Sequence, residues 1–275
     1  MIEQERRIKE LMALKNSGNC PVIAITSGKG GVGKTNIAAN LAIALAEKGE
    51  KVLVVDADTN FANVDVLLGL TPKFTLLNYV LDDLPIQKIL MKHESGIDVI
   101  PNSSGSSVWK NMDQVIKLKL FELLYQMRKK YDYIILDTAA GLSPLTIDLA
   151  TQANRTLIVT TTEPTAISDT YAMIKVLDSV QQDLSIDLLH NMVTSATEVT
   201  DVYQRLSLVL QHFLDITVGI AGYIELDDKV RLAIQQQIPV LLSFPDSPAS
   251  LNIHNIAESI LNQEQVETNI SETLQ

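Results

Sequence analysis

One segment near the start of the chain, Gly28-Lys29-Gly30-Gly31-Val32-Gly33-Lys34-Thr35, combines glycines with a lysine and a hydroxyl residue at a spacing that suits phosphate binding. It fits the pattern G-x-x-x-x-G-K-[ST]. Glycines let successive backbone N–H groups turn toward a phosphate, and a helix that begins directly after the loop adds the positive end of its dipole. We therefore predict that the segment from Gly28 to Asn36 binds a nucleotide. Lys34 would contact the β- and γ-phosphates, and the Thr35 hydroxyl would be a ligand of Mg²⁺.

Two acidic motifs end other apolar runs of the chain. Asp56-Ala57-Asp58 closes the run KVLVVD, and Asp137 closes the run YIILD. Ligands of parallel sheets bind beyond the carboxyl ends of the strands, so these carboxylates are predicted to lie at the phosphate site. Asp56 and Asp137 join Thr35 as candidates for the metal site, with Asp137 acting through water, and Asp58 is the candidate for orienting an attacking water. The alternative for Asp58 is that it only caps the turn that follows it.

The elements that must position these residues alternate along the chain between apolar runs and capped or amphipathic helices. The expected strands are 21–26, 51–56, 96–101, 133–137, 156–161, 188–193 and 217–223, and the expected helices are 34–48, 62–68, 75–81, 111–130, 165–180, 199–213 and a last one that begins at Ser247-Pro248. Strands that are apolar throughout and separated by helices predict an α/β fold. We expect a doubly wound, mostly parallel sheet with helices on both faces.

Composition excludes several classes of protein. The chain has 275 residues, with 22 Lys and Arg against 33 Asp and Glu, a net charge of −11 and 46% hydrophobic residues. This apolar content excludes disorder as the main state. The single cysteine, Cys20, excludes a disulfide framework and any cluster or zinc site that needs two thiolates from one subunit. The acidic balance argues against direct nucleic-acid binding, because that binding depends on neutralising phosphates.

Three parts are predicted along the chain: a helix and hinge at 1–19, a nucleotide-binding domain at 20–262 and an acidic tail at 263–275. The first part carries seven charged residues without the apolar core of a signal peptide, so the cytosol is the expected compartment. In the tail, Val266, Ile270 and Leu274 recur every four residues, but no Lys or Arg follows Arg231. A docked or frayed tail is therefore favoured over an anchor at the inner membrane or cell pole.

The order of these motifs resembles the MinD/ParA group of P-loop ATPases, which carry a deviant Walker A motif, KGGVGKT, and belong to the SIMIBI class. Segments 27–42, 56–70, 137–143, 163–175 and 245–251 resemble the flagellar-number regulators of the FlhG/FleN type, which are related to YlxH. The resemblance implies an ATPase with ATP or ADP and Mg²⁺ as cofactors. It implies that Lys29 crosses a dimer interface to the nucleotide of a second copy, and that Lys29, Lys34 and Asp58 serve catalysis. It also implies that Asn191 contacts adenine.

The same resemblance implies partners. ATP would drive a homodimer, which would act on a flagellar master transcription activator of the FleQ or FlrA type and on the FlhF GTPase. Residues 3–9, EQERRIK, loosely match a segment that stimulates FlhF, although a solvated helix is an equally good interpretation. Two departures from the family pattern occur. Thr59-Asn60-Phe61 stands where Leu-Gly-Leu is usual, and Glu225 replaces a proline near the nucleotide base.

Other functions on the same fold remain open. A basic amphipathic tail would favour a MinD-type septum-site ATPase, and a basic DNA-binding stretch would favour a ParA-type partitioning ATPase. The sequence has neither feature. An amide-forming synthetase would need a small-molecule pocket, for which the sequence shows no signature.

Overall fold

The computed structural model describes residues 20–105, 109 and 114–273, and it describes side chains as far as residue 263. The helix and hinge predicted for residues 1–19, which include the segment 3–9, lie outside the described residues. So do the side chains of the tail, on which the choice between a docked tail and an anchor depends.

Eight strands and eleven helices alternate along the described residues. The strands are β1 (Val22–Ser27), β2 (Val52–Ala57), β3 (Met91–Lys92), β4 (Asp98–Ile100), β5 (Tyr133–Ala140), β6 (Arg155–Thr160), β7 (Ile186–Val193) and β8 (Gly219–Glu225). The helices are α1 (Lys34–Glu47), α2 (Val64–Leu67), α3 (Leu76–Asp82), α4 (Ile86–Ile89), α5 (Gln114–Met127), α6 (Pro144–Gln152), α7 (Pro164–Val180), α8 (Ala196–Leu214), α9 (Asp228–Gln236), α10 (Val240–Ser243) and α11 (Pro248–Thr273).

The strands form one sheet in the order β3-β4-β2-β5-β1-β6-β7-β8. Only the β3–β4 pair is antiparallel among the pairs of the described sheet. Every residue of β1, β2 and β6 is buried, which explains why these strands are apolar runs without alternation. The predicted α/β fold with a mostly parallel, doubly wound sheet is confirmed.

Helices cover both faces of the sheet. Ile23 and Ile25 of β1 pack in the core under α1 and α11, whereas Val22 and Ala24 pack under α3, α5 and α6. A third cluster lies under α7 and α8. Residues 37–45 of α1 are buried all around, because α1 lies between the sheet and α11. The helix that follows the phosphate-binding segment is thus fixed on all sides.

Several elements differ from the sequence-based expectation. The pattern did not predict β3, α4, α6, α9 or α10, which are short. A start signal for α6 was nevertheless present, because Ser143 accepts a hydrogen bond from the N–H of Thr146 and Pro144 is the first helical residue. The last helix begins as predicted, with the Ser247 hydroxyl accepting from the N–H of Ser250. Its backbone runs past residue 262 to Thr273, so the predicted start of the tail falls inside a helix.

No helix among the described residues combines the length and the apolar content that crossing a bilayer requires.

A buried histidine lies on β7. His190 has no exposed surface, and neither of its ring nitrogens has a hydrogen-bond partner among the described residues. It stands in register between Thr160 of β6 and Tyr223 of β8. Burial lowers the pKa of His190 to about 4, because the imidazolium would lose its hydration without gaining a partner. The ring is therefore neutral at pH 7.

This burial makes stability depend on pH. An unfolded histidine has a pKa near 6.5, so the unfolded chain binds more protons than the folded one between pH 6.5 and 4. We expect the neutral His190 ring to contribute fully to the free energy of unfolding above pH 7. This contribution should fall by about 3 kcal/mol as the pH drops from 6.5 to 4. The measurement is the urea unfolding free energy of the wild type minus that of His190→Leu, taken at each pH so that other titrating groups cancel. A difference that is constant with pH contradicts the neutral buried ring.

Candidate functional site

The phosphate-binding segment lies between β1 and α1, as its pattern requires. Gly31 and Gly33 have φ angles of 79° and 96°, a region that side chains with a Cβ rarely adopt. Gly28 is needed for another reason, because a Cβ there would lie 2.4 Å from the backbone oxygen of Asp169. The Ser27 hydroxyl donates to the carbonyl of Lys29 at 2.7 Å, which holds the entry to the loop. The loop therefore presents backbone N–H groups at the start of α1, as a phosphate cradle needs.

Lys34 is the first residue of α1 and is buried. Burial lowers the pKa of its ammonium group, while the carboxylates of Asp137 and Asp58 act in the opposite direction. A buried cation is stable only next to negative charge. Lys34 is therefore placed and charged to hold an anion that enters the loop.

Asp137 lies in the same buried region, on β5 beside β1 and β2. Its Cα is in register with those of Ile25 and Asp56. Both of its carboxylate oxygens are buried and have no hydrogen-bond partner among the described residues. Burial raises the pKa of Asp137 to about 7, and the rise is opposed by the Thr35 hydroxyl, whose contact falls short of normal hydrogen-bond geometry, and by the charge of Lys34. A buried, unpartnered carboxylate beside a threonine hydroxyl has the hard oxygen donors that Mg²⁺ prefers, so these residues fit the predicted ion.

Asp56 is fully buried at the end of β2, and both oxygens of its carboxylate are engaged with the backbone. Oδ1 accepts from the N–H of Asp58 at 3.0 Å, and Oδ2 accepts from the N–H groups of Asn63 and Val64 at 3.1 and 3.2 Å. Its pKa is raised, first by burial and then by Asp137. These bonds make Asp56 an organiser of the loop after β2 and of the start of α2. Its role as a metal ligand stays a prediction.

Asp58 caps the turn that follows it, which was the alternative to a role in orienting water. Its Oδ1 accepts from the N–H of Asn60 at 2.8 Å and from the N–H of Phe61 at 2.9 Å. Within the described residues, its Oδ2 has no hydrogen-bond partner. One oxygen thus fixes the turn while the other is available, so the capping role does not exclude the predicted catalytic one.

Lys29 is held by residues that the sequence analysis did not single out. Its Nζ donates to Glu163 Oε2 at 2.6 Å and to Thr165 Oγ1 at 3.1 Å, and the ion pair is exposed. Glu163 and Thr165 belong to the segment EPTAISD at the start of α7. This segment is part of the family resemblance, but its pattern alone assigns no role to these two side chains. In a single chain, Lys29 therefore points to α7.

Asn191, at the end of β7, contacts the phosphate-binding loop directly. Its Nδ2 donates to the carbonyl of Val32 at 2.8 Å, and a Cβ on Gly33 would lie 2.3 Å from the same nitrogen. The next residue, Met192, has a φ of 58°, which is uncommon for a residue with a side chain. Asn191 thus supports the loop, and its contact with adenine stays a prediction.

A cavity of about 330 Å³ adjoins Asn191 and the start of α1. It lies between Asn36 on one side and the segment 224–227 and α9 on the other, with Arg231 at its wall. The Nδ2 of Asn36 is buried and has no partner among the described residues, so it is a donor that a ligand can satisfy. Glu225, which replaces the family proline, lines this cavity. Leu226 and Arg231 line it as well, and the sequence pattern did not predict them as site residues. The cavity has the size and position for a nucleotide base.

The predicted residues therefore meet in one place. The loop from Gly28 to Thr35 follows β1, and Asp56 and Asp58 lie at the carboxyl end of β2. Asp137 is level with Asp56 on the neighbouring β5, but it does not end that strand as predicted, because β5 continues to Ala140. The model of the AAA domain family matches residues 20–190 of the chain. The chain is 37% identical to the antiactivator FleN of Pseudomonas aeruginosa over 87% of its own length and 85% of that protein.

The chain belongs to the MinD-like FlhG/FleN family. It is also 34% identical to the flagellum site-determining protein YlxH of Helicobacter pylori, over 94% of its length and 90% of that protein. The septum site-determining protein MinD of Pyrococcus horikoshii, solved with Mg-ADP, superposes with a TM-score of 0.72 at 27% identity, over 88% of this chain and 96% of that one. The family resemblance is confirmed, as are nucleotide and Mg²⁺ as cofactors. This FlhG/FleN protein is an ATPase.

We expect Lys34→Ala to weaken ATP binding at least about tenfold, because a charge-assisted hydrogen bond to phosphate is lost from a buried site. The control is Lys48→Ala, which removes an exposed lysine at the other end of α1 that pairs with Glu258. Binding is measured by titration calorimetry, and melting curves show that both variants fold. Wild-type affinity in Lys34→Ala would mean that the loop is not the nucleotide site.

Proposed function

We propose that this protein is an ATP-switched, dimerising ATPase of the cytoplasm that controls the number or placement of flagella. The observation that carries the proposal is the similarity over most of the chain to proteins named antiactivator and flagellum site-determining protein. The loop from Gly28 to Thr35, which includes Lys29, would make the activity depend on the bound nucleotide. The structure supports the switch because Asp56 and Asp58 hold the loop after β2 through its backbone N–H groups, and their charges act on Asp137 and Lys34 in the site.

Bound MgATP supplies the phosphoanhydride bond that water cleaves to give ADP and phosphate. The chain's own residues bind and orient. The N–H groups of the loop and the ammonium of Lys34 would hold the phosphates, while Thr35 and Asp137 would hold the cation. The free Oδ2 of Asp58 would accept a hydrogen bond from the attacking water and keep it in line. Slow turnover follows if the site lacks one positive charge until a second copy brings its Lys29.

The contact of Lys29 with Glu163 opposes the delivery of Lys29 to a second copy. To reach the nucleotide of a second copy, Lys29 must leave Glu163 and Thr165, so the intramolecular ion pair competes with dimerisation. Exposed ion pairs contribute little, about 0.2 to 1 kcal/mol, so ATP-dependent contacts can displace this one.

We expect Lys29→Ala to bind ATP and remain monomeric with a non-hydrolysable ATP analogue, whereas Glu163→Gln forms the dimer at a severalfold lower protein concentration. The measurement is sedimentation velocity with the analogue and with ADP. Glu258→Gln is the matched control, since it breaks an exposed lysine–glutamate pair on α11. An ATP-dependent dimer of normal strength in Lys29→Ala would contradict the role of Lys29.

Asp58→Asn separates the two roles of Asp58. An asparagine keeps Oδ1 as the acceptor for the N–H groups of Asn60 and Phe61 but removes the negative charge. We expect Asp58→Asn to melt near the wild-type temperature and to hydrolyse ATP about 10²–10⁴-fold more slowly. Asp58→Ala loses the turn bonds as well, so it should show the same rate loss with lower stability. If Asp58→Asn turns over normally while Asp58→Ala only melts earlier, Asp58 is a turn cap and no more.

The partners are part of the proposal. We assign the output to a flagellar transcription activator of the FleQ or FlrA type and to the FlhF GTPase, the latter through residues 3–9. Counting flagella by electron microscopy in cells that lack the gene, and in cells complemented with wild type or Lys34→Ala, tests this function. Minicells with normal flagella would favour the MinD-type alternative, and DNA binding that weakens with salt would favour the ParA type.

A further inference from the structure

A second cavity lies at the edge of the sheet opposite to the phosphate loop. It has a volume of about 370 Å³ and lies where β2 and β4 begin. Residues 50–52, 92–93, 96–98 and 130–131 line it, so the walls come from the start of β2, the β3–β4 hairpin and the turn between α5 and β5. The nucleotide site uses none of these residues.

Three lysines converge on this cavity from its three walls: Lys51, Lys92 and Lys130. Within the described part of the chain, none of them has an ion pair or a side-chain hydrogen bond. Other lysines of the protein do have partners, such as Lys119, which pairs with Asp83, and Lys129, which lies over the ring of Tyr125. No ion pair within the described residues therefore holds these three side chains away from the cavity that they line.

The acidic residues of the same walls do not neutralise them fully. The carboxylate of Asp98 accepts a hydrogen bond from the hydroxyl of Tyr131 at 2.6 Å. Glu50 is the other carboxylate of these walls, so three ammonium groups line the cavity together with two carboxylates. Burial lowers the pKa of His93, whose Nδ1 is hydrogen-bonded with Ser95, so His93 adds no positive charge at neutral pH. The positive charge of the cavity comes from the three lysines.

We propose that this cavity binds a small oxyanion with two or more negative charges, of the phosphate-ester or polyphosphate class. Three ammonium groups offer up to nine donors, which match the several acceptor oxygens of such an anion. The net charge of −11 repels an extended polyanion, such as nucleic acid or an anionic bilayer, from the rest of the surface. A ligand that fits inside a cavity of about 370 Å³ meets the lysines and avoids that repulsion.

The probe for this site is pyrophosphate, titrated without Mg²⁺ at low ionic strength into Lys34→Ala, whose phosphate loop is weakened. We expect this background variant to bind one pyrophosphate. Adding Lys92→Ala and Lys130→Ala should weaken that binding at least about tenfold. Adding Lys129→Ala, the neighbouring lysine that does not line the cavity, should leave the affinity within about twofold.

Three results would overturn the proposal: no binding in the Lys34→Ala background, equal losses in the Lys92/Lys130 and Lys129 variants, or sedimentation with phosphatidylglycerol vesicles without binding of pyrophosphate. If Lys34→Ala does not fold, the wild type is titrated instead. Two pyrophosphate sites are then expected, of which the Lys92/Lys130 variant keeps one. A single pyrophosphate site in the wild type, or two such sites in the Lys92/Lys130 variant, would also contradict the proposal. All three cavity lysines are exposed, so their replacement leaves the core intact.

Discussion

The carboxylate of Asp137, buried without a hydrogen-bond partner among the described residues, is the constraint on which the nucleotide site depends. An isolated charge in such a place is costly, and removal of one member of a buried charge group leaves the others uncompensated. The fold meets this cost by bringing Lys34 and Thr35, at the start of α1, close to Asp137 within β5. Because Asp137 is in the middle of the sheet, the loop between β1 and α1 must reach over it. The positions of β1, β5 and α1 thus follow from one charge arrangement.

The same arrangement places two ionisable groups where their charged forms are costly. Burial lowers the pKa of Lys34 and raises that of Asp137, so at both residues burial disfavours the charged form. A phosphate beside Lys34 and Mg²⁺ beside Asp137 would offset this cost with opposite charge. We therefore expect nucleotide binding and the stability of the fold to be coupled.

The sequence predicted the parts of the site that depend on local patterns. The phosphate loop follows from its glycines and lysine, and Asp56 and Asp137 follow from their places at the ends of apolar runs. Contacts between distant segments were not predictable in this way. Lys29 and Glu163 are 134 positions apart, and Asn191 meets Val32 across 159. Short helices such as α4 and α10 were missed because the four residues of a single turn carry little periodicity.

The loop after β2 shows how a departure from the family pattern is accommodated. Two carboxylates, Asp56 and Asp58, accept five backbone N–H groups between Asp58 and Val64. Backbone bonds of this kind fix the course of the loop without using the side chains of residues 59–61. Those side chains are therefore free to differ, and Phe61 is 74% exposed. Asp58 also acts on Lys34 through its charge, so the carboxylate that holds the N–H of Phe61 lies within electrostatic reach of the phosphate loop. A switch that presents a surface to another protein would need such a link, and the exposed ring of Phe61 is the apolar side chain at its outer end.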